Sequence, residues 1–491
     1  MLFSNLSEGF LEEMFERHPV LRKTYGCHLD TWYMERYYPG VGDAAGFGST
    51  TTEYPATLRT RQRRYPYLPS RDWFKFRLSE ILEDPDFAKA VYHSNGGEIE
   101  NCFVDDIYLP DPTEIRNRLR EVIERHGPDI RRSSVLYPEW RIAVLHSGTG
   151  PHRRMLCINY DSGANHAHED ALNIGLFFRG YNMLPDFGYP PVHLGGWSSD
   201  EFRWYRSPAS HNLVVIDGHS HENLAKGTFL RYPVYGSAVL RGPDTWAQVV
   251  HADAKEYAGV ERYERTVALV DIDETRSYCL DVFRVSGGED HAQFFRTPPA
   301  RVHTKGLETE EGEDYGHSTF MRGFRTDERP GPDVRVDFAM EHPPSDTAGL
   351  GLAMLQVTEG AGVTLCESWV DITRVTGSGA DGTLQELWIP TLMVRKSGPQ
   401  STFITVIEPY EAKSVVRSVR RLPADQGVVA LEVVTDKLTD RIIVQDAHHP
   451  ATVSVAEGEL TTDGWFAVSR RRNGEHLCST YYGGSFLDDG G

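Results

Sequence analysis

The chain has 491 residues, more than one ordinary hydrophobic core can fill, so two or more structural units are expected. With 40% hydrophobic and 25% charged residues, 45 Gly and 28 Pro, the composition is that of a turn-rich globular protein and excludes global disorder. The formal charge of -20, from 51 Lys+Arg against 71 Asp+Glu, argues against nucleic acid or an anionic membrane surface as partner, and any acidic polysaccharide would need a local basic cleft.

No uninterrupted apolar run reaches membrane-spanning length, so membrane insertion is not expected. The first residues lack the basic start, apolar stretch and small-residue cleavage site of a signal peptide. Phe10, Leu11, Met14 and Phe15 recur at helical spacing, as do Trp73, Phe74, Ile81 and Leu82, and then Ile115, Leu119, Val122 and Ile123. Thr113 can cap the third helix and Gly127 can stop it. Between the first two lies Tyr37-Tyr38-Pro39-Gly40-Val41-Gly42-Asp43, which reads as turn chemistry, too loosely spaced to cradle a phosphate.

From about residue 131 the period changes to two. Short β-rich runs follow: Arg141 to Leu145, Leu213 to Asp217, Thr266 to Val270, Cys279 to Val285, Ser368 to Ile372, Leu387 to Val394, Phe403 to Ile407, Val428 to Val434 and Arg441 to Val444. Gly, Pro, Asp and Asn punctuate them, as in a large antiparallel sandwich, and no fixed-period repeat marks a propeller or solenoid. The expected fold is a multidomain α+β chain: a helical segment over 1–130, a first β-sandwich over 131–390 and a C-terminal sandwich portion over 391–491. Cys27, Cys102, Cys157, Cys279, Cys366 and Cys478 form no Cys-x-x-Cys pair and read mostly as buried free thiols. The acidic run Glu308 to Asp314 reads as a solvated loop.

The stretch richest in chemistry is Asn165-His166-Ala167-His168-Glu169-Asp170, followed by Asn173-Ile174-Gly175, Leu184-Pro185-Asp186-Phe187-Gly188-Tyr189 and Ser210-His211-Asn212. On a strand His166 and His168 would share a face. His168, Asp186 and His211 would supply two imidazoles and a carboxylate from three segments, a donor set that zinc accepts, if the sheet brings them together. Asp170, Asn173 and Asn212 are polar enough to orient such ligands. An isolated His-x-His pair among 20 histidines is more often surface or core than ligand. A cupin metal site also begins with His-x-His but places a Glu a few residues on, whereas Glu169 adjoins His168 and residues 171–175 hold no carboxylate.

Taken together, Asn165-His166-Ala167-His168, Asp170, Leu172-Asn173, the Leu184 to Tyr189 run, Arg206-Ser207 and His211 to Gly218 resemble the core of the heparinase II/III-like family, which includes heparin, heparan and alginate lyases. The similarity extends to Leu280 through Gly288 with His291, and to Phe403 through Pro409, and covers roughly residues 130–450. The resemblance implies an (α/α) toroid, here partial, joined to antiparallel β-sandwiches, with one structural zinc on His168, Asp186 and His211 and the substrate cleft between the domains. It implies that His166 faces the cleft with Asn165 beside it, and a periplasmic or secreted location that nothing in the chain encodes.

The implied reaction is β-elimination from a uronate glycan such as a glycosaminoglycan or alginate. Hydrogen-bond donors must neutralise the carboxylate as charge spreads into it, a role suited to Asn165, His166 and Arg206. A Tyr or His must move protons, and Tyr189 and Tyr205 lie close in sequence to the metal segments. The family's principal tyrosine belongs to the toroid. Tyr25, Tyr33, Tyr37, Tyr38 and His28 are candidates there by chain order alone, each more readily explained as packing or surface. Trp197, Trp204 and Tyr205 can stack on pyranose rings or pack a core, and Arg203 and Arg206 can draw in an acidic sugar. Only about 130 residues precede the sandwich, so an absent upstream segment is expected. The competing readings are a glycan-binding sandwich that keeps zinc without turnover, and a cupin-type oxygenase.

Overall fold

The computed structural model describes residues 9–44, 46–47, 70–103, 111–162, 166, 168–218, 234–316, 319–343, 346–372, 386–455 and 460–488. The chain divides into two compact units, one of Met1–Pro39, Ser49–Ser133 and Thr149–Pro151, the other of Gly40–Gly48, Ser134–Gly148 and His152–Gly491.

The first unit is helical: α1 (Phe10–Arg17), α2 (Val20–Asp30), α3 (Ser70–Ile81), α4 (Pro85–Ser94) and α5 (Pro112–His126). Phe15, Leu29, Leu78, Phe87 and Ala90 form one apolar cluster, and Phe76, Ala88, Val91, Ile115 and Leu119 a second, so α4 is buried on two sides. Asp84 caps α4 by accepting from Asp86 N, with Pro85 at the first helical position. Asp111, not Thr113, caps α5: its carboxylate accepts from Thr113 N at 2.8 Å, and Pro112 starts the helix. Asp followed by Pro outcompetes Thr because Pro has no N–H to satisfy and its φ is preset. Gly127 does end α5, at φ +68°. Helices α2 and α4 escape the periodicity reading; α2 contains Gly26 and its apolar residues keep no clean stripe, and α4 is apolar on two sides. Arg132 ties the unit together, donating to Asp30 at 2.6 Å and Asp84 at 2.8 Å.

The second unit is antiparallel β-structure. An eight-stranded sheet runs, in spatial order, Ala300–Lys305, Val334–Met340, Leu350–Gln356, Gln400–Glu411, Ser277–Ser286, Arg262–Asp271, Ala247–Asp253 and Ser237–Arg241. A six-stranded sheet runs Glu310–Glu311, Met321–Asp327, Gly362–Asp371, Glu386–Ser397, Asp290–Arg296 and Val214–Ile216. A small five-stranded sheet holds Ile142–Ser147, Arg154–Asn159 and Ile174–Phe178 at its centre, and a C-terminal five-stranded sheet is centred on Thr439–Val444. The fold is a helical segment followed by a large antiparallel sandwich. Most strands outrun their β-rich cores by a few residues, as polar ends join the ladder. The acidic run is exposed, and its Glu310–Glu311 pairs as a short edge strand.

Both faces of the eight-stranded sheet are buried. Cys279, Phe283 and Val285 join a core shared with the six-stranded and small sheets, whereas Tyr278, Leu280 and Val282 join one shared with the C-terminal sheet. This is why Ser277–Ser286 is buried along nearly its whole length, and why its sequence shows apolar residues on both parities. All six cysteines are free thiols, with Cys102, Cys279 and Cys366 buried.

Inside the first of these cores lies a charged pair. Arg265 donates to Asp281 through Nε at 2.8 Å and Nη2 at 2.7 Å, and Gln293 adds a third bond to Asp281 at 2.9 Å. Replacing Asp281 by Ala strands a guanidinium in an apolar interior and should cost about 3–5 kcal/mol. Pairing Asp281→Leu with Arg265→Met should recover only part of it, because the buried Leu172 and Asn212 carbonyls lose their donor. Urea denaturation of the variants is the measurement, and a loss below about 1 kcal/mol for Asp281→Ala would contradict this account.

Candidate functional site

The site is assembled from four segments of the second unit. The first runs from the bridge strand Asp161–Ser162 to Ile174–Phe178. Residues 168–173 are irregular rather than strand, because Asn and Asp side chains compete for backbone groups: Asn159 Nδ2 donates to Asp170 O at 3.1 Å, and Asn159 O accepts from Leu172 N at 2.8 Å. His166 lies in a turn at φ +65°. The strand reading of His-x-His is therefore corrected: His166 is exposed and His168 is fully buried.

The second segment places Asp186, whose Oδ1 accepts from Gly188 N at 2.8 Å and whose Oδ2 accepts from Asn173 Nδ2 at 2.8 Å. The third follows helix α6 (Asp200–Arg206) and carries His211, whose Nδ1–H donates to Asp186 Oδ2 at 2.8 Å. The His168 and His211 ring centroids are 5.3 Å apart. Arg296 Nη1 holds His211 O at 2.9 Å, Asn212 Oδ1 accepts from Arg296 N at 2.8 Å, and Arg265 donates to Leu172 O at 2.7 Å and to Asn212 O.

The fourth segment is Gly40–Phe47, which a single β-bridge from Gly46 to Gly188 fixes in place. It supplies Asp43, whose Oδ1 accepts from His168 Nε2 at 3.1 Å and whose Oδ2 pairs with His166 Nδ1 at 2.7 Å. One carboxylate thus joins the buried and the exposed histidine. Gly42 N donates to Asp170 Oδ2 at 3.1 Å.

Burial pushes the Asp43 carboxyl up, but hydrogen bonds from His168 and His166 outweigh it and hold it below its usual range. Burial drives His168 toward the neutral imidazole against the pull of Asp43. His211 is desolvated too, but the Asp186 charge and hydrogen bond raise it, and burial of Asp186 is in turn outweighed by His211. Burial, with Asp186 and Asp161 nearby, pushes Asp170 up to about 7 despite His211 and Gly42 N.

One ligand atom each of His168, Asp186 and His211 lies within 4.8 Å of the others. With Nε2–H of His168 given to Asp43, its Nδ1 carries the lone pair, the carboxylate-to-imidazole arrangement that orients metal-bound histidines. His211 Nε2 is buried with no hydrogen-bond partner among the described residues, a cost that a cation or its water would relieve. The three residues fit a divalent ion.

Residues 131–308 match the family described as Heparinase II/III-like, C-terminal. The chain carries a heparinase II/III-like domain. Two solved structures resemble it over most of its length: a heparinase III, the BT4657 gene product, at 13% identity and TM-score 0.50 over 86% of this chain and 52% of that one, and a second heparinase III at 12% and 0.51 over 87% and 54%. The likeness extends the shared fold beyond the matched segment, and the chain spans about half the length of those structures. No curated protein matches in sequence.

Within this heparinase II/III-like domain Trp197 is exposed, its ring 6.3 Å from His166 and 6.0 Å from the half-buried Tyr189. Asn165 lies outside the described residues. Trp204 and Tyr205 are core residues, not sugar platforms: Trp204 Nε1 donates to Trp369 O at 3.0 Å, and Tyr205 OH accepts from Asp371 N at 2.8 Å. Arg206 is buried over the Phe202 ring, so the exposed cation of α6 is Arg203, beside Asp200. His166 and His168 both bond to Asp43, and the histidine that converges with Asp186 and His211 is His168, not the His166–His168 pair on which the cupin reading rests. Tyr25, Tyr33, Tyr37, Tyr38 and His28 fall in the helical unit. Tyr33 and Tyr37 are buried, Tyr25 packs on Phe15 and Phe74, and burial lowers the His28 pKa. Sequence reading missed Asp43 inside its Gly-rich turn. The only signal was a lone acid after two glycines.

A Cβ at Gly40 would sit 2.8 Å from Asp186 Cβ, whereas Gly331 has open space around it. Gly40→Ala should therefore cost about 1–3 kcal/mol by displacing the Asp186 backbone segment, and Gly331→Ala almost nothing. Equal urea midpoints for the two variants would show that Gly40 is not a close-approach position.

Proposed function

We propose that this chain is part of a polysaccharide lyase that cleaves a uronic-acid-containing glycan by β-elimination, with His166 as its principal substrate-contacting residue. The observation that carries this reading is an exposed imidazole gripped by Asp43 beside an exposed tryptophan, on a heparinase II/III-like domain. In the reaction a base takes the proton α to the uronate carboxylate, its electron pair forms a carbon–carbon double bond, and the glycosidic oxygen leaves and is protonated. No water is consumed.

With Nδ1–H held by Asp43, His166 in its doubly protonated form has Nε2–H to donate to the uronate carboxylate as charge spreads into it. Trp197 offers a face for a pyranose ring, and Tyr189, beside it, offers a phenol for proton transfer. His168, Asp186 and His211 would hold zinc, which when bound ties three chain segments together by neutralising their donor set. A periplasmic or extracellular location goes with this reading, since polymeric uronates are met there. The alternative, a glycan-binding sandwich without turnover, is favoured by the burial of Arg206, which leaves fewer cations for the carboxylate.

The test is ultraviolet absorbance during incubation with heparan sulfate, alginate, hyaluronan, chondroitin and pectic polymers, because elimination makes a conjugated unsaturated uronate. The expected result is a rise with one polymer that His166→Ala lowers by about 10²-fold or more while the fold is kept. A flat trace from folded, zinc-loaded protein, with glycan still bound, would favour the binding module.

Zinc content and melting temperature should fall together in His168→Ala. An unchanged melting temperature after complete zinc loss would rule out a structural role for the ion.

A further inference from the structure

The geometry points to a second metal site, formed by His251, Glu264 and His448 and taking a dication of the zinc class. One ligand atom from each lies within 4.8 Å of the others. His251 and Glu264 sit on adjacent antiparallel strands, Ala247–Asp253 and Arg262–Asp271, where His251 pairs with Thr266 and Asp253 with Glu264. Both side chains therefore share one face of the eight-stranded sheet, two positions apart on the diagonal. That face also carries Val249, Ala268 and Val270, which pack against the C-terminal sheet. His448 follows Thr439–Val444, the central strand of that second sheet.

The residue that demands a partner is His251. It is only 3% exposed, Nδ1 is 3.0 Å from Thr266 Oγ1, and Nε2 is buried with no hydrogen-bond partner among the described residues. Leaving such a nitrogen unsatisfied is unfavourable, because it has given up its water without gaining a partner. When Nδ1–H donates to Thr266, Nε2 keeps its lone pair, which is the tautomer a metal needs. Burial favours the same neutral ring, lowering its pKa to about 3.

The other two ligands are held as well. Arg262 Nε donates to Glu264 Oε2 at 2.7 Å, which leaves Oε1 for a cation. Arg262 Nη2 reaches Asp446 Oδ2 at 3.4 Å, and Asp446 Oδ1 accepts from His448 N at 2.8 Å, so one arginine links the carboxylate to the turn that carries His448. Arg284 and Arg262 bring positive charge close to His251, opposed there by Asp446, and Glu264 and Asp446 face Arg284. His448 is exposed, which gives the ion an entry path and water a fourth position. Two imidazoles and one carboxylate suit zinc and exclude calcium and magnesium, which take oxygen ligands. The bound ion would staple the eight-stranded sheet to the C-terminal sheet.

The experiment is zinc stoichiometry, by calorimetry and elemental analysis, on the full chain stripped with chelator and reloaded. The wild type should bind roughly two equivalents, His448→Ala roughly one fewer, and the surface control His449→Ala as many as the wild type. Cobalt loading should give visible d–d absorption that His448→Ala halves. Unchanged stoichiometry in His448→Ala, or equal loss in His449→Ala, would overturn the site. His168→Ala reports on the first centre separately: if it binds as much zinc as the wild type while His448→Ala binds none, the first assignment fails and this one stands.

Discussion

The second unit depends on the desolvated Arg265 guanidinium, which has almost no apolar alternative to the bonds it makes. Its two-point bond to Asp281 neutralises it, and its two Nη1 hydrogens go to the carbonyls of Leu172 and Asn212. These carbonyls belong to segments that are otherwise irregular and could not position themselves. Arg296 repeats the device on His211 and Ala209. Two sandwich arginines thus impose strand-like precision on loops, which is what a ligand set drawn from three segments requires.

Asn212 completes the frame. Its amide N–H donates to Asn173 Oδ1, its Nδ2 to Ile174 O at 3.2 Å, and its Oδ1 accepts from Arg296 N. Asn173 in turn donates to Asp186. The chain of bonds runs from the sandwich interior to a candidate ligand without crossing solvent, so strain or truncation in the core would be felt at the site.

Much of this was legible in the sequence because the decisive residues are local. The spacing within residues 165–173, the Pro-Asp-Phe-Gly run and His211-Asn212 each sit in a few consecutive positions, and period-two runs announce the strands. What could not be read is long-range. Asp43 lies 125 residues before His168, and no periodicity links a turn to the histidine it will orient. The same holds for His448, which reaches His251 only through the stacking of two sheets. Residues that pattern suggests are polar tools, such as Arg206, turn out buried, because an aromatic or cationic residue on a short helix gives no clue to which face packs. Helix α2 was lost for a simpler reason: its apolar residues do not keep a clean stripe.

The position of Gln400–Glu411 bears on how such a chain is made. This strand lies between Ser277–Ser286 and Leu350–Gln356 in space, yet follows both in sequence. During synthesis the two halves of the eight-stranded sheet therefore emerge without a common edge, each exposing unpaired backbone. Closure of the sheet waits for Gln400–Glu411 to be made. A topology of such distant pairings folds slowly and offers open edges to other chains in the interval.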